Sequence, residues 1–441
     1  MPDSGTTTLW PVRSFLSSLN PRLPRSVQLL QLGGLMNAFG NGLVVPFLLI
    51  YLHNERGIGL GVAGLILATN AAVSLISGPI GGILVDRVGG KTMLTAALGF
   101  LAMGFVAYAF VESPWQGFLA SAITGIGNGL FWPAQSTLLA GLTTRAQRSA
   151  TFAMQRVVMN LGIGLGGVAG GFIASESFQA LFVLDALTFV AYAVVLTIFV
   201  PDPARQRERP ERSGSYRTVF RHKVFMALMA ANSLYIGAGI AQLEILPAFA
   251  KNEAGVSERG IGWLFFINTI VIVLLQLPTT RLAEGRRRTP LLALVGVVSA
   301  AAWLLVPVSG LWLTGMTAFA LLAVAVAVFA LGECLHGAVL PALVVDLADP
   351  RLLGRYMAIS ALSWQVGFTV GPAVGGVLLA ASPTGLWIVM ASVLLLTGAF
   401  TLALERGLPE TLRRVPLGAR AQELVAVPVP AGEPEPARAA G

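Results

Sequence analysis

Glu333 and His336 stand three residues apart in a stretch, 315 to 345, that is otherwise almost wholly apolar. If that stretch is helical, the two side chains share a face. A carboxylate taken out of water is suited to reversible protonation, because burial disfavours its charged form. Glu333 is therefore the first candidate for a proton carrier, set against a purely structural carboxylate hydrogen-bonded to its neighbours. His336 reads first as a partner in a hydrogen bond between helices and second as a proton-coupling residue. Glu244, in the apolar run 224 to 250, is the other candidate, and its competing reading is a residue at a watery mouth. No nucleophile, base and orienting group can be assembled elsewhere, which argues against an enzyme. Cys334 is the single cysteine, so no internal disulfide forms, and neither a metal site nor a cofactor is expected. A Gly-x4-Gly-Lys-Ser/Thr phosphate loop is absent, which leaves a gradient as the energy source.

The elements that must position these groups are set by composition. Over half of the 441 residues are hydrophobic and only 11% are charged, with a mean hydropathy of +0.76. Ordinary soluble domains carry about a quarter charged residues, so the chain is an integral membrane protein. Twelve segments can each cross a bilayer as a helix. They lie near 27 to 51, 61 to 85, 92 to 111, 115 to 142, 149 to 174, 181 to 200, 224 to 250, 260 to 280, 290 to 308, 315 to 345, 355 to 381 and 385 to 404. The fold class is all-α and polytopic, in two six-helix halves.

Loops rich in Lys and Arg stay on the cytoplasmic side. Loops after even-numbered segments hold seventeen of the 29 basic residues, whereas those after odd-numbered segments hold Arg56, Lys251 and Arg259. Both termini are thus expected in the cytoplasm of a cell whose inner membrane holds the protein. The same loops account for the pI near 10.2 as a rim facing anionic lipid headgroups rather than nucleic acid. The first segment is too long for a cleavable signal and is expected to be retained. Arg156 is expected to snorkel from segment five to that rim, and Asp185 to serve near water at the outer end of segment six.

The chain divides into a cytoplasmic segment 1–25, a six-helix half 26–200, a charged linker 201–223, a second half 224–405 and a Pro- and Ala-rich tail 406–441 expected to be disordered. The halves repeat. Asn160-Leu-Gly162-x3-Gly166-Gly167-x2-Gly170-Gly171 matches Gln365-Val-Gly367-x3-Gly371-Pro372-x2-Gly375-Gly376 at a constant offset of 205, and Pro46 corresponds to Pro247. Glycine at every fourth residue makes a face on which another helix can pack closely. Such stripes are ordinarily packing surfaces; the sharper expectation is that they let two halves slide during alternating access.

One loop carries charges in locally unfavourable places: Gly82-Ile-Leu-Val-Asp86-Arg87-Val-Gly89-Gly-Lys91. With helices ending near Val85 and starting near Thr92, Asp86 would meet a partly negative helix end and Lys91 a partly positive one. Each should then have a partner elsewhere. Position and spacing of Gly82-x3-Asp86-Arg87-x-Gly89-x-Lys91 resemble the signature loop of the major facilitator superfamily, and the likeness extends over all twelve segments. Gly367-x3-Gly371-Pro372 is similar to the glycine-proline motif of that family's antiporters, which carry it in segment five. The chain looks most like the family's twelve-span drug efflux group, which exchanges amphipathic compounds for protons. The resemblance implies that Asp86 docks on the start of segment eleven, near Arg355, as a latch closing the inner side. Departures are clear: Ser121 replaces the arginine of the segment-four motif, Asn37 an acid of segment one, and Leu282 the acid of the second-half loop.

Asn37 and Asn41 share a face and, with Asn128, Gln135, Asn160 and Gln365, could line a central cavity. Phe39, Phe131, Trp132, Met154, Tyr235 and Trp364 would give it adaptable apolar walls. The expectation is a monomeric secondary transporter that exports amphipathic or hydrophobic small molecules, with protons as the coupling partner and lipid around it. A metabolite or lipid carrier, or a non-transporting receptor, is the alternative.

Overall fold

The computed structural model describes residues 23–143, 145–202, 216–349 and 352–416, except for the side chains of 145–150, 152, 153 and 156. Most of segment 1–25, the centre of the linker, most of the tail and the Arg156 side chain lie outside these. Twelve long helices follow in order: α1 Arg25–Ile50, α2 Leu60–Val88, α3 Gly90–Ala109, α4 Pro114–Gly141, α5 Arg145–Ala174, α6 Phe178–Phe199, α7 Lys223–Ala238, α8 Glu258–Ala283, α9 Arg288–Trp312, α10 Gly315–Leu347, α11 Leu353–Ala381 and α12 Pro383–Ala403. Among the described residues, eleven long helices are apolar enough to cross a membrane. The remaining one, α4, has 28 residues but carries Gln116, Ser121, Thr124, Asn128 and Gln135; of these Ser121, Thr124 and Gln135 are fully buried.

Serine caps begin many of the helices that start at the end of the molecule away from the basic loops. Ser177, Ser257 and Ser382 accept from the backbone amides of Ala180, Gly260 and Gly385, and Ser113 forms a capping box with Gln116. Each satisfies an amide that lacks a partner in the first helical turn. Within the first half α1 packs on α5 and α6, and α3 and α4 pack together; the second half repeats this with α7 on α11 and α12, and α9 on α10. Between halves, α2 meets α11 and α5 meets α8.

At the basic face the sequence expectation shifts. No loop separates α2 from α3: the first helix runs on to Val88, Gly89 turns the chain at φ 95°, and α3 begins at Gly90. A side chain at Gly89 would be strained there. Gly285, its counterpart between α8 and α9, likewise has φ 71°. Lys91 does find a remote partner, since its ammonium donates to the carbonyls of Thr197 and Val200 at 2.9 and 2.6 Å. These close α6, whose C-terminal end is partly negative.

The second half is tied at the equivalent place by different chemistry. Beyond α12 the chain makes short turns over Leu404–Gly407 and Glu410–Leu412, then runs antiparallel to the α8–α9 connection. Gly285 N–H donates to Val415 O at 2.9 Å, Val415 N–H to Arg286 O at 3.0 Å and Arg288 N–H to Arg413 O at 2.8 Å. Arg287 bonds Glu405 at 2.6 Å, and buried Arg288 pairs with Asp346. The first eleven residues of the proposed tail, 406 to 416, are therefore structured; the rest is outside the described residues. Truncation after Ala403 is expected to lower the melting temperature of the detergent-solubilised protein by about 3 °C or more, and truncation after Pro416 to change it by no more than about 1 °C.

Candidate functional site

Inside lipid every backbone polar group needs a partner, so a helix breaks only where side chains can replace its hydrogen bonds. The sequence predicts one continuous helix over 224 to 250, but α7 stops at Ala238. Gly239, at φ −107° and ψ −90°, leads into a tight turn, Ile240–Glu244, before helix resumes over Leu246–Asn252. Trp303 Nε1 donates to the freed Ala238 carbonyl at 2.9 Å. Gln242 Nε2 donates to Gly237 O at 2.7 Å and to Gly371 O of α11 at 3.1 Å. The break carries Glu244 to the wall of a cavity.

That cavity, of about 370 Å³, is lined by Asn37, Asn41, Asn70, Ser74, Thr124 and Asn128, by Phe105, Tyr108, Phe131 and Trp132, and from the second half by Glu244, Gln365 and Phe368. A second cavity of about 490 Å³ lies toward the basic face, between Asn160 of α5 and Gln276, Glu333, His336, Met357, Ser360 and Trp364. Adjacent residues, Trp364 with Gln365 and Met159 with Asn160, belong to the two linings. Among the described lining residues there is neither lysine nor arginine. Asn37 accepts from Asn41 through its Oδ1 at 3.0 Å, Asn128 donates to Asn70 at 3.1 Å, and Glu333 accepts from Asn268 at 2.8 Å.

Several sequence candidates fall elsewhere. Phe39 lies against α5, its carbonyl directly beside Gly166. Met154 packs on the apolar core. Tyr235 is buried beside His336, at a small void inside the second half. Gln135 is buried near Gly34. Ser121, in the arginine position, hydrogen-bonds the Ile66 carbonyl and so fastens α4 to α2. Asp185 corrects the expectation of a watery helix end: α6 starts at Phe178, two turns earlier, and Asp185 is 0% exposed against Gly40 of α1. Asn70, Ser74, Thr124 and Phe368 were not anticipated, since lipid-facing and cavity-facing positions share one periodicity.

The glycine motif divides between two surfaces. Gly162, Gly166 and Gly170 press on α1, while Gly367 and Gly371 press on α7 and Gly375 on Gln242 and Ile245 of the turn that follows it, all within one half. The surfaces between halves use the other members of the motif, together with Gly164. Gly164, Gly167 and Gly171 face Thr269, Gly262 and Glu258 of α8; Pro372 and Gly376 face Gly64 of α2. These approaches concentrate toward the face away from the basic loops. There Asn54 donates to Asn252 at 2.7 Å and Arg259 reaches Ser175 at 3.3 Å and Glu176 at 3.6 Å. At the basic face the halves stand apart: a Cβ at Gly82 or at Gly354 would meet nothing within 4 Å. Asp86 and Arg87 are exposed, Asp86 forms no ion pair among the described residues, and the Arg355 guanidinium lies 4.9 Å over Tyr216 instead.

Two six-helix halves that pack on each other mainly away from the basic loops, with cavities lined from both, define a transporter architecture. The chain belongs to the Major Facilitator Superfamily, whose family model matches residues 30–246 and 245–434. It is similar to the multidrug resistance protein MdtH of Aeromonas salmonicida, 27% identical over 356 residues covering 79% of this chain and 86% of that protein. It is also similar to the uncharacterized MFS-type transporter YqjV of Bacillus subtilis, 26% identical over 354 residues, 78% of this chain and 84% of the relative. Among solved structures, a peptide transporter POT in complex with sulfate superimposes with a TM-score of 0.73 at 17% identity, covering 89% and 96% of the two chains. The nucleoside transporter NupG gives 0.70 at 14%, covering 86% and 99%. At these identities the solved structures show the shared fold.

A methyl group at Gly64 would lie 2.5 Å from Pro372 O and 2.8 Å from Gly376 Cα, both backbone atoms that no rotamer change can move. Gly64→Ala is expected to part α2 from α11 at the closed face. Labelling of Leu48→Cys by an impermeant thiol reagent from that face should rise about threefold or more.

Proposed function

We propose that the protein exports amphipathic or hydrophobic small molecules across the inner membrane by proton antiport, with the basic face in the cytoplasm. The observation that carries this reading is the cavity itself: open to the basic face, walled by aromatic rings and neutral amides, with Glu333 as the carboxylate of its open portion. Flat rings and amides suit varied apolar compounds without demanding one shape. The excess of basic residues at the open face supports its cytoplasmic placement. The names of the MdtH relatives support drug efflux.

In this reading the state described is the one that loads substrate from inside. A proton arriving from outside reaches Glu244 first, in the deeper cavity, and Glu333 and His336 exchange with the cytoplasm. Binding a proton and binding substrate compete, which couples the two flows. The α2–α11 and α5–α8 contacts act as bearings about which the halves rock. Asp86, unengaged here, docks at the start of α11 when the inner side closes, where the N-terminal end of that helix is partly positive.

The decisive measurement is flux in proteoliposomes with an imposed pH gradient, across a panel of amphipathic compounds. Drug-dependent proton movement is expected, and Glu333→Gln should cut gradient-driven export about tenfold or more while drug exchange without a gradient persists. Unchanged coupling in that variant would remove Glu333 from the pathway, and no flux across the panel would favour a metabolite carrier or a receptor. Asp86→Asn is expected to weaken inner closure, seen as increased labelling of Met357→Cys from the basic face. Equal labelling with and without the substitution would count against the latch.

A further inference from the structure

His336 is held by a chain of hydrogen bonds whose direction can be read from its far end. Ser363 Oγ lies 2.6 Å from the Ser360 carbonyl, which can only accept, so the single hydroxyl proton is spent there. Toward Asn232, 2.7 Å away, Ser363 Oγ must therefore accept, and the Asn232 side chain must present its NH2. The amide oxygen then points to His336 Nε2 at 2.9 Å. Two acceptors cannot share that contact, so Nε2 carries the proton. The assignment follows from the connectivity and does not depend on resolving amide nitrogen from oxygen.

All three side chains are buried: Asn232 is 3% exposed, Ser363 4% and His336 6%. The ring plane is fixed by Tyr235, stacked at 4.4 Å and 26°. Among the described residues the ionisable groups near the imidazole are Tyr235 from α7, with Glu333 and Cys334 on its own helix; α8 and α11 offer amides, hydroxyls and Trp364, and α5, whose Asn160 lines the same cavity, carries Arg156, whose side chain lies outside the described residues. His336 also borders the same cavity as Glu333. Ser233 adds a bond of 3.0 Å from α7 to the Ser363 carbonyl, so the chain ties α10, α7 and α11 at one level.

We propose that Asn232 and Ser363 are positioning residues that keep His336 in its Nε2–H form. The ring then gains its second proton at Nδ1, becoming an imidazolium, and returns it at the same atom. Throughout, Nε2–H stays bonded to Asn232, so the new positive charge is felt by α7 and α11 without the tie being broken. The change in charge is thereby converted into a change in how the open half of α11 is held, which deepens the proton-coupling reading above and rests on it.

The test uses the full chain in lipid nanodiscs with Cys334→Ala and spin labels at Val88→Cys and Leu353→Cys, which report the gap between the halves at the basic face. The distance distribution is expected to change between pH 5 and pH 9. Asn232→Leu and Ser363→Ala should displace the midpoint of that change by about one unit or more, and Ser363→Thr, which keeps the hydroxyl, should restore it. His336→Gln should also displace or abolish it, and adding Asn232→Leu to His336→Gln should have no further effect, because a residue acting only through His336 is silent without it. Additive effects of the two substitutions, or an unaltered midpoint in both Asn232→Leu and Ser363→Ala, would overturn the proposal while leaving proton coupling intact. A wild-type distance that does not respond to pH would overturn the coupling reading itself.

Discussion

Every peptide group that leaves a helix inside lipid must find a partner within the protein, and the α7 break satisfies this with Trp303 from α9 and Gln242 from the turn itself. Gln242 also bonds the Gly371 carbonyl of α11, so the break and the packing of α11 on α7 are one arrangement. Without the break Glu244 would sit on a regular helix with a different azimuth. Without the small residues of α11, whose Gly375 touches the Gln242 side chain, that side chain could not lie where it does. The shape of the cavity, the reach of its carboxylates and the alignment of α11 all follow from satisfying a few carbonyls.

A second constraint is the difference between the two kinds of glycine contact. Those inside a half, such as Gly166 on Phe39 O and Gly371 on Gly237 O, bring backbone onto backbone and make each half stiff. Those between halves, Gly64 on Pro372 and Gly167 on Gly262, are just as close but are concentrated away from the basic loops. A rigid half that touches its partner at one end only is free to tilt about that end. The membrane supplies no hydrophobic drive to hold the halves together, so small-residue packing and the few polar bridges at Asn54, Asn252 and Arg259 must do so.

Much of this was legible in the residues. Eleven of the twelve helices are marked by apolar length, and the repeat at an offset of 205 marks equivalent helices. The signature loop identified the family, and Lys91 was expected to have a remote partner, which is the end of α6. The α7 break was not read, although Gly237, Gly239 and Pro247 signal it, because hydropathy takes no account of backbone hydrogen bonding. The glycine motif serves both kinds of surface, because residues one position apart are turned by about 100°: Gly166 and Gly371 pack within a half while Gly167 and Gly376 face the other half, and sequence alone does not say which is which. A helix starting at 181 would leave Asp185 near water, whereas the start at Phe178 puts it against Gly40. Cavity-lining Asn70 and Thr124 look like any polar residue that joins helices, and they do join them, by a bond of 2.7 Å.

The two halves fasten their basic-face turns with material made at different times. Lys91 closes onto carbonyls at residues 197 and 200, so the first half can complete its tie as soon as its own sixth helix has been inserted. The corresponding turn of the second half waits for residues 405 to 415, which lie beyond the last helix. During synthesis the second half can therefore begin its tie at Gly285–Arg288 with the Arg288–Asp346 pair but completes it only with a segment beyond its last helix, one that no hydropathy profile would mark as part of the fold.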